Sequence, residues 1–129
     1  MKKAIKIDVV KKTVYQIELS DDYKAIYGAI GNGCTIFCAP IEFENGDTLY
    51  SDEEGLLHEK MEGCFMMPNW KSPLVGNAII LGTDDEGESI DAKSTIEEIE
   101  SKIHFYDEQV AENWKQKALN TPPQIITFN

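Results

Sequence analysis

Any chemistry in this chain must come from two histidines, three cysteines and a surplus of carboxylates, because arginine is absent from all 129 residues. His58 and Cys64 stand six apart and His104 lies far along the chain, which is no recognised zinc spacing. Asp84, Asp85, Glu86 and Glu88 have the composition of a calcium loop, but lack its alternating ligands and distal glutamate. That run reads as a solvated acidic turn. Cys38 or Cys64 with His58 would make a thiol–imidazole pair, yet no neighbour in sequence activates either thiol. The cluster Gly28-Ala29-Ile30-Gly31-Asn32-Gly33 ends a helix, whereas a phosphate-binding glycine loop opens one. The expectation is therefore a protein that is not an enzyme, with no metal and no cofactor. Cys34, Cys38 and Cys64 cannot all pair with one another, so they read as reduced, small buried hydrophobes.

Ligand capture needs a mostly apolar pocket with a few polar anchors. Tyr50, Phe65 and Trp70, with the methionines around them, offer stacking surfaces for a base. Asn69, Lys71, Asn77, Thr83 and Asp84 offer hydrogen bonds and one positive charge, so the expected pocket lies beside the stretch Met61–Pro73. The ligand it would suit is a small nucleotide, its phosphates held by Lys71, Lys93 or backbone amides. Charge favours a rival reading. Of a net −11, the segment Ile41–Ser101 carries sixteen acids against three lysines, and the rest of the chain is slightly basic. Such a field repels nucleic acid and anionic membranes, but it would suit a decoy that mimics nucleic acid and occupies a basic protein. Seven of these sixteen acids fall in turns (Asp52–Glu54, Asp84–Glu88), where turn chemistry and solubility also explain them.

The elements that must position these residues are written in local patterns. Ile5, Ile7 and Val9 alternate with Lys6 and Asp8, and Tyr15, Ile17 and Leu19 alternate again after a short turn, predicting an N-terminal hairpin. Ser20 is a candidate helix cap for the stripe Tyr23, Ile26, Tyr27, Ile30, which ends at Gly31-Asn32-Gly33. Cys34–Phe43 reads as a strand, interrupted or placed at an edge by Pro40, and Asn45-Gly46 turns it back into Thr48–Tyr50. Leu74–Thr83 is the longest apolar run and predicts one central strand. Ser94-Thr95-Ile96-Glu97 matches a capping box, and Ile96, Ile99, Ile103, Tyr106, Val110 and Trp114 then keep near-heptad spacing. This predicts one long helix over 94–119, stopped by Asn120 and Pro122-Pro123, with a last strand at Ile125–Phe128.

The architecture expected is a single α+β domain over residues 1–129, with a small, mostly antiparallel sheet. A short helix near the N-terminus and one long C-terminal helix complete it. A helix of that length exceeds what one small sheet can cover. Its stripe, Ile103, Tyr106, Val110 and Trp114, is therefore the expected interface of a homo-oligomer. No apolar run reaches the ~20 residues of a membrane span, and Lys6 and Asp8 interrupt any signal-peptide pattern, so a cytoplasmic location is expected.

One resemblance adds to this reading. Asp52-Glu53-Glu54-Gly55-Leu56, Asn69, the Gly76 to Gly82 strand and the turn at Asp84-Asp85 follow an opening strand pair and helix. That order is similar to a family of small domains of unknown function encoded by phages and mobile elements. The resemblance covers about two-thirds of the chain, leaves out the C-terminal helix and brings no catalytic residues. It implies a phage-type inhibitor of host defence acting in the host cytoplasm. Its partner would be either a small nucleotide immune signal or a host defence protein.

Overall fold

A computed structural model describes residues 1–55, 58, 62–68, 70 and 73–119. The first hairpin forms where alternation predicts it. Strand β1 (Lys2–Asp8) pairs antiparallel with β2 (Thr13–Leu19), Ile7 opposite Val14 and Ala4 opposite Ile17. Asp8 shapes the turn, its carboxylate accepting the backbone N–H groups of Val10 and Lys11 at 3.0 Å each. Helix α1 (Lys24–Ile30) follows, burying Ile26 and Ile30. Ser20 does not cap it: its hydroxyl accepts the Asp22 N–H, and the Asp22 carboxylate accepts the Lys24 N–H, so two short Asx/Ser turns lead into the helix. Gly31 ends α1 at φ 76° and ψ −159°, an extended conformation with positive φ that is essentially open to glycine alone.

β3 (Phe37–Glu42) and β4 (Asp47–Asp52) form the second hairpin. Its turn is closed by the Gly46 N–H on the Phe43 carbonyl and the Phe43 N–H on the Asp47 carbonyl. Gly46 has φ 94°, a conformation that suits glycine. Register shifts between Cys38 and Ile41, around Pro40, which has no N–H to give the ladder.

The apolar run Leu74–Thr83 is not one strand. Gly76, at φ 89°, and Asn77 divide it into β6 (Leu74–Val75) and β7 (Ala78–Thr83), which belong to different sheets. Asn77 is buried at this division and holds both sides. Its side-chain oxygen accepts the Val9 N–H at 2.9 Å, and its amide donates to the Ile30 carbonyl at 3.1 Å. β8 (Ser89–Ile90) turns back on β7. Gly82 sits under that return, where a Cβ would strike the Asp91 carbonyl oxygen.

Two antiparallel sheets result. The larger has the order β2-β1-β7-β4-β3, with β8 beside β7. The smaller has the order β6-β5-β9, from β5 (Cys64–Met66) and β9 (His104–Tyr106). Alternation along the large sheet serves two cores. Ala4, Leu19, Ile79 and Leu81 face α1, while Ile5, Ile7, Leu49, Ala78 and Ile80 face Phe65 and Met67 from the β5 region. Ile99, from the short helix α2 (Ile96–Glu100), joins that second core.

The fold is therefore mostly sheet, nine strands with three short helices among the described residues, which corrects the α+β expectation of one long C-terminal helix. Residues 94–119 hold α2, then β9, then α3 (Glu108–Leu119), 12 residues long. The capping box that opens α2 is one residue later than expected. Thr95 caps, its hydroxyl accepting the Glu98 N–H, while the Glu98 carboxylate accepts the Thr95 N–H. The near-heptad pattern misleads because β9 is made by pairing with β5, with Phe105 opposite Phe65, a contact no local periodicity records. Asp107 then restarts a helix, its carboxylate accepting the Val110 N–H at 3.1 Å. The strand expected at Ile125–Phe128 lies outside the described residues.

Candidate functional site

Where the two sheets part, an open groove of about 720 Å³ is left. One wall is the end of the second hairpin, Pro40 to Asn45, taken residue by residue. The other wall is Met67, Pro68 and Trp70, which follow β5, with Ser94, Glu98 and Lys102 around α2. Ile41, Phe43 and Trp70 pack their inner surfaces on the core shared by the sheets, so the groove floor is apolar and braced. Its rim is acidic. Glu42, Glu44 and Glu98 are exposed, against Lys102 as the basic residue among the described lining.

The groove's end is fixed by one buried carboxylate. Asp47 is fully buried at the start of β4, and its two oxygens accept the Lys93 N–H at 2.9 and 3.0 Å and the Ser94 N–H at 2.7 Å. Its own N–H donates to the Asn45 side-chain oxygen, and the Asn45 amide donates to the Ser94 hydroxyl at 3.0 Å. This lattice ties the β3–β4 turn to the N-terminus of α2, so both walls are held at the same place.

Of the residues expected to bind a ligand, Trp70 lines this groove and four do not. Tyr50 follows Leu49 in β4 and so faces the opposite side of the sheet, packed edge-on to Phe37 with centroids 5.4 Å apart, near α1. Asn77 is the buried connector described above. Thr83 shares a hydrogen bond with Thr48, hydroxyl to hydroxyl at 3.1 Å. Asp84 closes the β7–β8 turn, accepting the N–H groups of Glu86 and Glu88 at 2.9 Å. Asn69 and Lys71 lie outside the described residues. Reasoning from sequence missed Glu42 of β3 and Phe43 just after it, and Glu98 with Lys102 on the facing wall. Pro40 and Asn45-Gly46 were the available signal, since together they mark the arm of an edge hairpin.

The expected oligomer stripe divides in the same way. Ile103 packs on the core between the sheets, and Trp114 on Cys64, Val75 and Ala111. Tyr106 and Val110 stay exposed, one on β9 and the other on α3. The four do not form one helical face.

The titratable groups elsewhere are chiefly structural. His58 Nε2 lies 2.6 Å from the Asp52 carboxylate, and its carbonyl accepts the Lys115 ammonium at 2.7 Å, tying α3 to the end of β4. Among the described residues no three of His, Cys, Asp and Glu come together as a metal site. Burial, with the nearby Asp52 charge, pushes the Cys34 thiol from 9.0 up to about 11, and burial with Asp107 does the same for Cys64. A shift of that size cuts the thiolate fraction at pH 8 about a hundredfold, and the thiolate is the reactive form. Both thiols should therefore alkylate with iodoacetamide far more slowly in the folded protein than in urea, read by mass spectrometry of peptides. Equal rates in the two states would contradict the burial argument. The neutral thiol is the form that packs, so its contribution to stability holds below pH 9 and is lost as pH rises towards 11.

Fold and groove together define a mostly-β, two-sheet domain with an open, acid-rimmed cleft on its hairpin edge. The chain belongs to the DUF3846 family, a domain of unknown function, whose family model matches residues 1–104. α3 lies beyond the matched part. No curated protein and no solved structure matches the chain. Among the described residues no helix is long and apolar enough to cross a membrane.

Proposed function

We propose that this protein is a non-enzymatic binding protein whose groove takes a partly apolar, positively charged part of another protein. The observation that carries this reading is the composition of the groove. Trp70, Met67 and Phe43 supply apolar surface, while Glu42, Glu44 and Glu98 set a negative rim with Lys102 as its described counterweight. Charge of that sign steers a basic partner in and turns an anionic one away. The resemblance to phage and mobile-element domains supplies the setting. The protein would act in the host cytoplasm as an inhibitor, and its target would be a basic protein of host defence.

Sequestration of a small nucleotide signal is the second reading, favoured by one feature, the half-buried indole of Trp70 at the groove wall. A base can stack on it. The phosphates would then face three carboxylates with Lys102 to offset them, which is why this reading ranks second.

One experiment separates the two. The protein is immobilised and offered a host-cell extract at low salt, beside a Glu42→Lys/Glu44→Lys variant whose changed side chains are exposed. A host protein held by the natural chain, released by high salt and not held by the variant is the expected outcome, since exposed charge pairs are screened. A nucleotide found by native mass spectrometry, and kept by the variant, would favour the second reading. If no nucleotide is found and the natural chain and the variant retain the same host proteins, both readings fail.

A further inference from the structure

We infer that the groove's occupant is an extended basic peptide segment that adds itself as a strand to the edge of β3 that no described strand pairs. This rests on the groove being the binding site, and it names how the partner is held. β3 is last in the order of its sheet, paired with β4 on one side. A strand that faces a cleft with its flat side contributes every second residue to it. Here the consecutive β3 residues Pro40, Ile41 and Glu42 all line the groove, and Phe43, Glu44 and Asn45 of the turn continue the wall, so the groove runs along the last part of the strand's edge.

The hydrogen-bond phase agrees. The Phe43 N–H is turned inward, on the Asp47 carbonyl at 2.8 Å. Inward and outward residues alternate on an antiparallel edge. Glu42, opposite Thr48, thus directs its own N–H and C=O into the groove. Pro40 has no N–H to offer, so pairing can extend no further along β3 in that direction, which sets the register of an added strand. Side chains on the added strand would alternate too. Those towards the floor meet Met67 and Trp70, which calls for apolar residues. Those towards the rim meet Glu42, Glu44 and Glu98, which calls for lysine or arginine.

The probe is a blocked, fluorescently labelled hexapeptide alternating valine and lysine, followed by anisotropy with the whole protein. Two further peptides carry a methyl group on alternate backbone nitrogens, in the two possible phases. A fourth has glutamate in place of lysine. Binding by the parent peptide is expected, weakened at least about tenfold by glutamate and by one methylation phase, and little changed by the other phase, whose N–H groups point away from β3. Glu98→Gln should weaken the parent peptide about two- to fivefold, the scale of one exposed charge. The glutamine can still reach back to the Thr95 N–H, so the capping box survives.

Equal affinity for both methylation phases would overturn strand addition. Equal affinity for the glutamate peptide would overturn the basic occupant. If no peptide binds at about millimolar concentration, the inference falls, while capture of a host protein that depends on Glu42 and Glu44 would leave the binding role itself standing.

Discussion

Replacing Asp47 by alanine should cost about 3–4 kcal/mol of folding stability, the largest effect expected from any polar residue among those described. Hydrogen bonds to a charged partner are worth roughly 1.5–3 kcal/mol each, and they do not add fully when they share one carboxylate. Asp47 holds two backbone N–H groups, those of Lys93 and Ser94, from a fully buried position. Alanine would leave these amides without their acceptor at the entry to α2. It would also remove a negative charge from beside the N-terminus of that helix, where the macrodipole favours it. Asp47→Asn is the informative companion. One oxygen still accepts, but the new amide would point N–H groups at an N–H, so a loss of about 2 kcal/mol is expected. Urea unfolding followed by circular dichroism measures both. A midpoint for Asp47→Ala that corresponds to less than about 1 kcal/mol would show that Lys93 and Ser94 find other acceptors. Because Ser94 lines the groove and Glu98 lies in the helix that follows it, milder variants at Asp47 should loosen the groove before they unfold the chain.

The contrast between Asp47 and the residues singled out from sequence shows what a linear reading can reach. Ile5 and Ile7 against Lys6, or Tyr15, Ile17 and Leu19, announce strands because the period of two is complete within the segment. Asn45-Gly46 announces its hairpin for the same local reason. The stripe from Ile96 to Trp114 is local too, yet wrong as a helix, since its spacing continues by coincidence through Ile103 and Tyr106. What decides there is Phe105 lying opposite Phe65, a pairing across the fold that overrides helical periodicity. Asp107, a good cap in mid-pattern, was the local hint of a break. Leu74–Thr83 is not one strand because Gly76 and Asn77 move the chain between sheets, a change that a continuous apolar run does not record. The groove was harder still. Trp70 stood out as a large aromatic in an irregular stretch, but its neighbours Glu42 and Glu98 come from distant segments brought together by the sheet order. The acids themselves were legible as turn and cap chemistry. Asp84 holds its turn, Asp52 accepts the Glu54 N–H at 2.8 Å, and Glu98 reaches its cap.

Phe65→Ala is the apolar counterpart, and a loss of about 3–5 kcal/mol is expected from it. Phe65 is fully buried in the middle strand of the small sheet, between Leu74 and Phe105. Its ring belongs to the core with Ile5, Ile7, Leu49 and Ile80, so it is the principal apolar link from β5 to the large sheet. Removing it deletes the transfer energy of a ring and leaves a cavity between two sheets that can close only by sliding on each other. The large sheet keeps a second core beneath α1, built from Ala4, Leu19, Ile26, Ile30, Ile79 and Leu81. The loss should accordingly be uneven. Amide exchange in Phe65→Ala should quicken most in β5 and β9, while β1 and β7 keep most of their protection. Phe65→Leu, which refills most of the volume, should lose about 1–1.5 kcal/mol and restore the pattern. Uniform loss of protection across both sheets would mean that they unfold as one unit. The groove wall at Met67 and Trp70 would then draw its order from the whole domain. An uneven loss places that wall on the less stable sheet, so a partner binding there would stabilise β5 and β9 first.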